Sequence, residues 1–474
     1  MVMASVLMAS CGGGGSIAQL GSTSTFSAGI APGSPIPPPP TNGSATTVNT
    51  FPIVVDAGPV PTVIQQINVA YVSVTVCAPG TSPATAACQT IDHVMVDTGS
   101  SGLRLLKSVL YSSLNLPQVT SGGSAIGECQ PFAIGTTWGS VRSADIYLGG
   151  EVARSATFQD IGDTPGGVTF VPRDCSATGA IQGDTGNLQT DQTALGANGI
   201  LGVGLFPNDC APCLIQIPNE YVPAAYYTCN TVSGCTNSQV VTTAQIVQNP
   251  VAILSANPAS LSLDNNGVLI DFTNPNGTHI GNGTAGYTSL TGSLILGIGT
   301  EANNQPTLTT TQNEYDADAY GNLLTSYTIS SGSTVVTGTV VPMVGVLDSG
   351  SNALFFPDLN ITQCTPPPAP PSWYCPSSPL SLIAANQSVS NGYVPMNFTL
   401  VGLQLLANNT VGLNIGAYSY LQPELNSGLL SSTYPLFDWG LPFFYNQPVF
   451  TGIAGMTAPT GVSAAGAAGG YWIY

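Results

Sequence analysis

Val94-Met-Val-Asp97-Thr98-Gly99-Ser100-Ser101-Gly102-Leu103 recurs in altered form as Val344-Gly-Val-Leu-Asp348-Ser349-Gly350-Ser351-Asn352-Ala-Leu354. Each copy is an apolar run, then Asp-[Thr/Ser]-Gly-Ser, then a leucine. The two aspartates lie 251 residues apart, which divides the chain into two halves that each give one carboxylate to a shared site. A buried strand ending in aspartate delivers its carboxylate with little freedom. The glycine two residues on permits a tight turn and close backbone approach. The hydroxyls of Thr98, Ser100, Ser349 and Ser351 are placed to donate to the carboxylates. Two carboxylates a few ångströms apart cannot both ionise, so one keeps a proton. The ionised one draws a proton from water and the protonated one gives a proton to a carbonyl oxygen. That is general acid–base hydrolysis without metal or covalent intermediate. The candidate catalytic residues are therefore Asp97 and Asp348, supported by Thr98, Gly99, Ser100, Ser349, Gly350 and Ser351.

Composition narrows the alternatives. Five Lys+Arg against 23 Asp+Glu give a formal charge of −18 over 474 residues. No basic surface exists to neutralise phosphates, so nucleic acid is excluded as the main partner. The five cations, Arg104, Lys107, Arg142, Arg154 and Arg173, all lie in the first half. His93 and His279 are the only histidines, too few for a multi-histidine metal centre; neither metal nor cofactor is expected. Charged residues make up 6% of the chain and apolar residues 43%. A large core is available, and the surface must be built from Ser, Thr, Asn, Gln and Gly. Such a surface loses little when carboxylates protonate, which points to an extracytoplasmic and even an acidic setting. Few Glu and Lys beside 55 Gly and 38 Pro leave little material for amphipathic helices. Period-two runs such as Val69–Val76, and the turn Asp264-Asn-Asn-Gly267 before Val268–Phe272, predict an all-β chain. Asp316-Ala-Asp318-Ala-Tyr320-Gly321 faintly echoes a calcium loop, but Tyr320 fills a ligand position and no Glu follows in place; it reads as a turn.

The first eleven residues end at Leu7-Met-Ala-Ser-Cys11 before a glycine run. This resembles a bacterial lipoprotein signal with Cys11 as the lipidated residue, although no basic residue precedes the apolar stretch. Residues 12–50 are an uncharged Gly/Ser/Thr/Pro linker, and no apolar run is long enough to span a bilayer. Ten cysteines remain after Cys11, and an even number in an exported chain points to disulfides. Cys77/Cys88, Cys229/Cys235 and Cys364/Cys375 are near neighbours that would each close a short loop. The pairing of Cys129, Cys175, Cys210 and Cys213 stays open, Cys210-x-x-Cys213 also being readable as a redox or zinc pair.

At the level of its motifs the chain resembles the pepsin-like aspartic peptidases. Beyond the two Asp motifs, Asn198-Gly-Ile-Leu-Gly-Val-Gly204, Asn249-Pro-Val-Ala-Ile-Leu254, Gly292-Ser-Leu-Ile-Leu-Gly297 and Asp438-Trp-Gly-Leu-Pro-Phe-Phe444 are similar to segments of that family. They occur in its order across about residues 65–455. The chain is also similar to bacterial lipoproteins with the same paired motifs. The resemblance implies a bilobal fold of two β-barrel-like lobes around a cleft. The N-terminal lobe is expected at 51–250, with a cysteine-rich insertion at about 206–250, and the C-terminal lobe at 251–474. It also implies a flap hairpin over the site, in 131–139. In the family a flap tyrosine is braced by a tryptophan seven residues after the first Asp. Here that position is Arg104 and the flap segment holds no tyrosine, so Phe132 and Trp138 become the candidates to cap the cleft. Arg104 is then expected to tune the carboxylates or meet an acidic group of a ligand. Asn352 stands where the family usually has serine.

These readings combine into an aspartic endopeptidase. It would act as a monomer on a peptide or protein substrate, tethered to the bacterial cell envelope through lipid on Cys11. A second reading is a catalytically inactive pepsin-like envelope lipoprotein serving as a binding or structural module. A third is a carbohydrate-binding β-protein, suggested by polar, tyrosine-bearing loops.

Overall fold

The computed structural model describes residues 49–83, 87–132, 135–172, 175, 188–209, 226–237, 242–255, 263–273, 286–308, 312–329, 340–364, 372–406, 409–418, 435–463 and 469–474. Cys11, most of the expected linker, Arg173, His279, Cys210 and Cys213 lie outside these residues. The described body starts at Asn49, whose buried side chain donates to Leu296 O at 3.0 Å, slightly before the composition shift at residue 51.

The chain is nearly all β, as its composition requires. In the first half the principal strands are β1 (Thr50–Val55), β2 (Ala70–Cys77), β3 (Cys88–Asp97), β4 (Ser101–Leu106), β5 (Ser124–Phe132), β6 (Gly135–Leu148), β7 (Glu151–Ile161), β8 (Gly199–Val203) and β9 (Tyr226–Asn230). The second half contributes β10 (Gly267–Asp271), β11 (Leu290–Leu296), β12 (Val340–Leu347), β13 (Leu354–Phe356), β14 (Gly416–Tyr418), β15 (Leu436–Trp439), β16 (Val449–Gly452) and β17 (Tyr471–Ile473).

The sequence repeat is a repeat of topology. In the first half, β3 runs parallel to β8, β4 lies antiparallel to β8 on its other side, and β4 runs parallel to β7. In the second half, β12 runs parallel to β15, β13 lies antiparallel to β15, and β13 runs parallel to β14. Each half thus wraps the strand that delivers its Asp against the same partners. Pairing also crosses between halves: β1 with β11, within a seventeen-stranded sheet that extends from the first half to β17. A second sheet of eight strands belongs to the second half. This is the arrangement of two similar β halves, each delivering one Asp, that the repeated motif predicts.

The period-two reading of β2 needs one amendment. All eight of its residues are buried, its polar face included. Val72, Val74 and Val76 enter the main core, while Thr75 on the opposite face pairs its hydroxyl with that of Thr90 at 2.7 Å. The faint calcium-loop echo is a turn: Asp318 Oδ1 accepts from the N–H groups of Tyr320 and Asn322 at 2.8 and 2.9 Å. The 206–250 insertion joins the first-half sheet, β9 pairing antiparallel with β5.

The four described cations all serve the first half as ion-pair partners. Arg142 meets Asp160 and Asp163, each at 2.7 Å, Arg154 meets Asp145 at 3.0 Å, Lys107 meets Asp163, and Arg104 is described below.

Four disulfides are present among the described residues. The three local ones, Cys77–Cys88, Cys229–Cys235 and Cys364–Cys375, are as expected. The fourth, Cys129–Cys175, links residues 46 apart and settles one pairing that proximity left open. By the loop-closure model a longer loop restrains the unfolded chain more. The Cys129→Ala/Cys175→Ala variant should therefore lose about 1 kcal/mol more than Cys77→Ala/Cys88→Ala, as read by urea unfolding of both.

Several carboxyls outside the cleft make stability depend on pH. Glu151, at the start of β7, and Asp264 are both buried; burial and then the Asp264 carboxyl raise Glu151 to about 9. Burial opposes the charge on His93, but hydrogen bonds to Asp56 and Asp92 outweigh it and lift His93 to about 9. Both groups have folded values above their unfolded ones. The stability they confer is complete below the unfolded value, about 4.5 for Glu151 and about 6.5 for His93, and is lost as pH rises through about 9. Asp163 has the opposite sign. Burial raises it, yet hydrogen bonds from Lys107 and Ser140 and the charge of Arg142 bring it to about 2, so its contribution is lost only as pH falls through that value. The melting temperature should accordingly fall between pH 5 and pH 9, and Glu151→Gln should flatten that fall. An equally steep decline in the variant would contradict the pairing.

Candidate active site

Asp97 ends β3 and Asp348 directly follows β12. Both are fully buried, and each carboxyl lies against the glycine of the other motif, where the two act on one another across the interface between the halves. Each is held in the same way. Asp97 Oδ1 accepts from Gly99 N at 2.9 Å, and Oδ2 accepts from Ser100 Oγ. Asp348 Oδ1 accepts from Gly350 N at 2.8 Å, and Oδ2 accepts from Ser351 Oγ at 2.9 Å.

Thr98 and Ser349 lock the two loops together. Thr98 Oγ1 donates to Leu347 O at 2.9 Å and accepts from Ser349 N at 2.9 Å. Ser349 Oγ donates to Val96 O at 2.8 Å and accepts from Thr98 N at 3.1 Å. The second residue of each motif thus reaches into the strand of the other half, which fixes the separation of the carboxyls. The glycines are required by approach. A Cβ on Gly99 would stand 2.7 Å from Asp348 Cγ, and one on Gly350 would stand 2.7 Å from Asp97 Oδ1, distances that no real Cβ contact tolerates.

Burial raises both carboxyls of the pair. For Asp97 this is countered by hydrogen bonds from Asp348, Ser100 and Gly99 and, through space, by the charge of Arg104. Asp348 is pushed well above the usual range by burial, then by the charges of Asp97 and Asp438. The negative charge of the pair therefore resides on the Asp97 side.

A cavity opens beside the pair, lined by Thr98, Gly99 and Asp348, with Gln130 of β5 and Asp209 on one side and Asn322 and Trp472 from the second half on another. Phe132 and Trp138 do not line it. Phe132 packs into a cluster with Tyr71, Met95 and Leu106. Trp138 packs with Cys129, Cys175 and Tyr227 behind the hairpin, in an edge-on contact with Tyr227 at 5.3 Å. The expectation that one of them caps the cleft is corrected: Trp138 pairs with Cys129 on the face opposite Gln130, Phe132 shares the face of Gln130 but packs further along it into its own cluster, and Gln130 is the residue of β5 that reaches the cavity.

Arg104 is fully buried, so it presents no cation to a ligand. Its Nη2 donates to Glu128 Oε1 at 2.7 Å, Asp209 Oδ2 at 3.0 Å and Gln130 Oε1 at 3.2 Å. Nη1 donates to Ser101 O at 3.0 Å, and the guanidinium carbon stands 5.8 Å from the Phe132 ring centroid. Glu128, Gln130 and Phe132 alternate along one face of β5. The guanidinium therefore braces the flap strand from beneath, at the position where the resembled family keeps a tryptophan, and ties it to Asp209 of the insertion. Tyr226 completes the cluster, donating to Asp209 Oδ2 at 2.7 Å.

Sequence reading missed Asp209, Asn322 and Trp472 as cleft residues, because no local pattern relates them to the Asp motifs. It also passed over Asp438. The signal for that residue was present: a lone Asp within the apolar strand Leu436-Phe-Asp-Trp439.

A protein-family profile described as "Protein of unknown function (DUF3443)" matches residues 45–474. The chain belongs to this family. No curated protein matches it. Among solved structures, an aspartic proteinase from Irpex lacteus is similar at 14% identity over 87% of this chain and 99% of that chain, with a TM-score of 0.45. In this DUF3443 chain the matched region takes in both Asp motifs, the cavity between them and all four described disulfides. No helix among the described residues is long and apolar enough to cross a membrane.

Proposed function

We propose that the chain is an aspartic endopeptidase. The observation that supports this best is the approach of the Asp97 and Asp348 carboxyls on equivalent loops with equivalent donors, beside a cavity that Asp348 lines. Asp97, carrying the charge, takes a proton from a water held between the pair. The oxygen of that water attacks the peptide carbonyl as the proton on Asp348 passes to the carbonyl oxygen. Collapse of the resulting diol protonates the amide nitrogen, breaks the C–N bond and restores one proton to the pair. The carboxyls supply both the acid and the base, so no cofactor is invoked. The substrate is a peptide or unfolded protein segment laid across the cleft, and the chain acts as a monomer.

We also propose export and attachment to a bacterial envelope through lipid on Cys11, with residues 12–48 as the tether. The disulfides support export; fatty-acid labelling lost in Cys11→Ser tests the anchor. A second reading, a pepsin-like binding module without activity, is favoured by the missing flap tyrosine and by the burial of Phe132 and Trp138. Digestion of an unfolded protein substrate across pH 3–7, with Asp97→Asn as control, separates the two. Fragments from the wild type alone support the peptidase; no fragments, or equal fragments from both, reject it.

A further inference from the structure

The near-symmetry of the two motifs is broken at one residue. Pairing of β3 with β8 places Ile200 opposite Met95, and pairing of β12 with β15 places Asp438 opposite Val346. Met95 and Val346 each stand two residues before the motif Asp, so Ile200 and Asp438 are equivalents. Ile200 is buried in an apolar cluster. Asp438 is buried too, and β12 and β13 face it with Val346 and Phe355. An acid has replaced an aliphatic residue where burial without a partner is costly.

The partner is Ser351. In the first half, Ser100 Oγ serves Asp97. Its equivalent, Ser351 Oγ, lies 2.9 Å from Asp348 Oδ2 and 2.6 Å from Asp438 Oδ2. A hydroxyl has one hydrogen. Two carboxyl oxygens at hydrogen-bond distance compete for it, and a proton on one of the two carboxyls, donated to Ser351 Oγ, relieves that competition. The chain Asp348–Ser351–Asp438 is thus suited to hold a proton of its own. Asp438 Oδ1 is buried and has no hydrogen-bond partner among the described residues. The ionisable groups acting on it are the pair itself: Asp97 by its charge and Asp348 through Ser351, on which Asp438 acts in return.

We propose that Asp438 is a third carboxyl of this site, a positioning residue that acts through Ser351 to keep Asp348 protonated. The inference deepens the peptidase reading and rests on it for its kinetic consequence, but not for its proton count. Burial, and with it the charge of Asp97, pushes Asp438 upward too, so the two acids compete for the proton of the chain; whenever Asp438 gives it up, the Ser351 hydrogen turns to Asp438, and Asp348, without that donor and beside a like charge, holds its own proton the more firmly. Asp438→Asn supplies a fixed N–H to Ser351 and Asp438→Leu restores the apolar residue of the other half. In either variant Ser351 is free to donate to Asp348 and the like charge is gone.

Two measurements on the full chain test this. In the pH profile of kcat/KM, the alkaline limb should move to lower pH by about one unit or more in both variants, the usual size of a neighbouring charge effect. A profile that superposes on that of the wild type overturns the proposal. Loss of all activity in both folded variants also overturns it, since Asp438 would then be a reacting group. Thermal melts from pH 5 to pH 9 read the proton without any activity. A buried acid raised above its unfolded value gives stability that is lost as pH rises through the folded value, so the melting temperature of Asp438→Asn should decline less than that of the wild type. Parallel declines overturn the proposal even in an active enzyme. An inactive wild type whose melts still differ from those of Asp438→Asn rejects the peptidase reading and leaves the third carboxyl standing.

Discussion

Asp97→Asn and Asp348→Asn should each lower kcat/KM for a peptide substrate by about 1,000-fold or more, within the range that positioned acid–base groups contribute. The double variant should be little worse than either single one, because the two carboxyls act as a unit and their effects are not additive. The same substitutions should leave the fold intact and raise the melting temperature near neutral pH. Asp348 is fully buried and pushed well above the ordinary carboxylate range, first by burial and then by Asp97 and Asp438. Its folded value exceeds its unfolded one, so the stability associated with it is present below about pH 3.8 and is lost as pH rises. An amide at the same place does not ionise and does not incur that loss. Activity down with stability up is the signature of a site built for chemistry. Kinetics and thermal melts of the same preparations check both halves of the expectation.

Arg104→Met should be the most destabilising single change near the cleft, by about 3–5 kcal/mol, the usual cost of removing one partner from a buried ion pair. Arg104 is completely enclosed and is the cation shared by Glu128 and Asp209. Its removal leaves two buried carboxyls facing each other. Burial and then Glu128 already push Asp209 upward, so the variant should lose most stability above neutral pH, where Asp209 cannot retain a proton without cost. The triple variant Arg104→Met/Glu128→Gln/Asp209→Asn should recover most of the loss, since apolar or neutral replacements of a whole buried ion cluster are tolerated. Urea unfolding at pH 5 and pH 8 provides the measurement. A single variant as stable as the wild type would show that the guanidinium does not brace the flap strand.

The fold was legible because the deciding information is local. An apolar strand ending in Asp-[Thr/Ser]-Gly-Ser dictates its own conformation, and its repetition 251 residues later implies a second half of the same kind. The reciprocal bonds of Thr98 and Ser349 follow from residue types visible in the motifs. Their partners, Val96 O and Leu347 O, are backbone groups and could not be named in advance. The local disulfides were legible for the same reason, whereas Cys129–Cys175 depends on a chain path across 46 residues. What was not legible is contact between distant segments. Arg104 was recognised as a departure at the bracing position, but its acids, Glu128 and Asp209, come from β5 and the insertion. Phe132 and Trp138 were chosen as caps by position in the flap segment; strand alternation turns Trp138 away from the face of Gln130, and packing against Tyr71, Met95 and Leu106, distant in sequence, takes up Phe132. Asp438 was visible as an acid in an apolar strand and acquires meaning only when β15 is laid beside β12.

The central claim is that the two halves bring Asp97 and Asp348 together as one proton-sharing pair open to a peptide. A peptide carrying a hydroxyl in place of the scissile bond imitates the diol and should bind between the two carboxyls far more tightly than the corresponding plain peptide, as transition-state mimics do. Calorimetric titration at pH 5 of the wild type, Asp97→Asn and Asp348→Asn tests this without requiring turnover. The account predicts tight binding by the wild type that depends on the hydroxyl, and a loss of at least about 100-fold in each variant, the low end of transition-state discrimination. Equal binding by wild type and variants, or no preference for the hydroxyl, would contradict it.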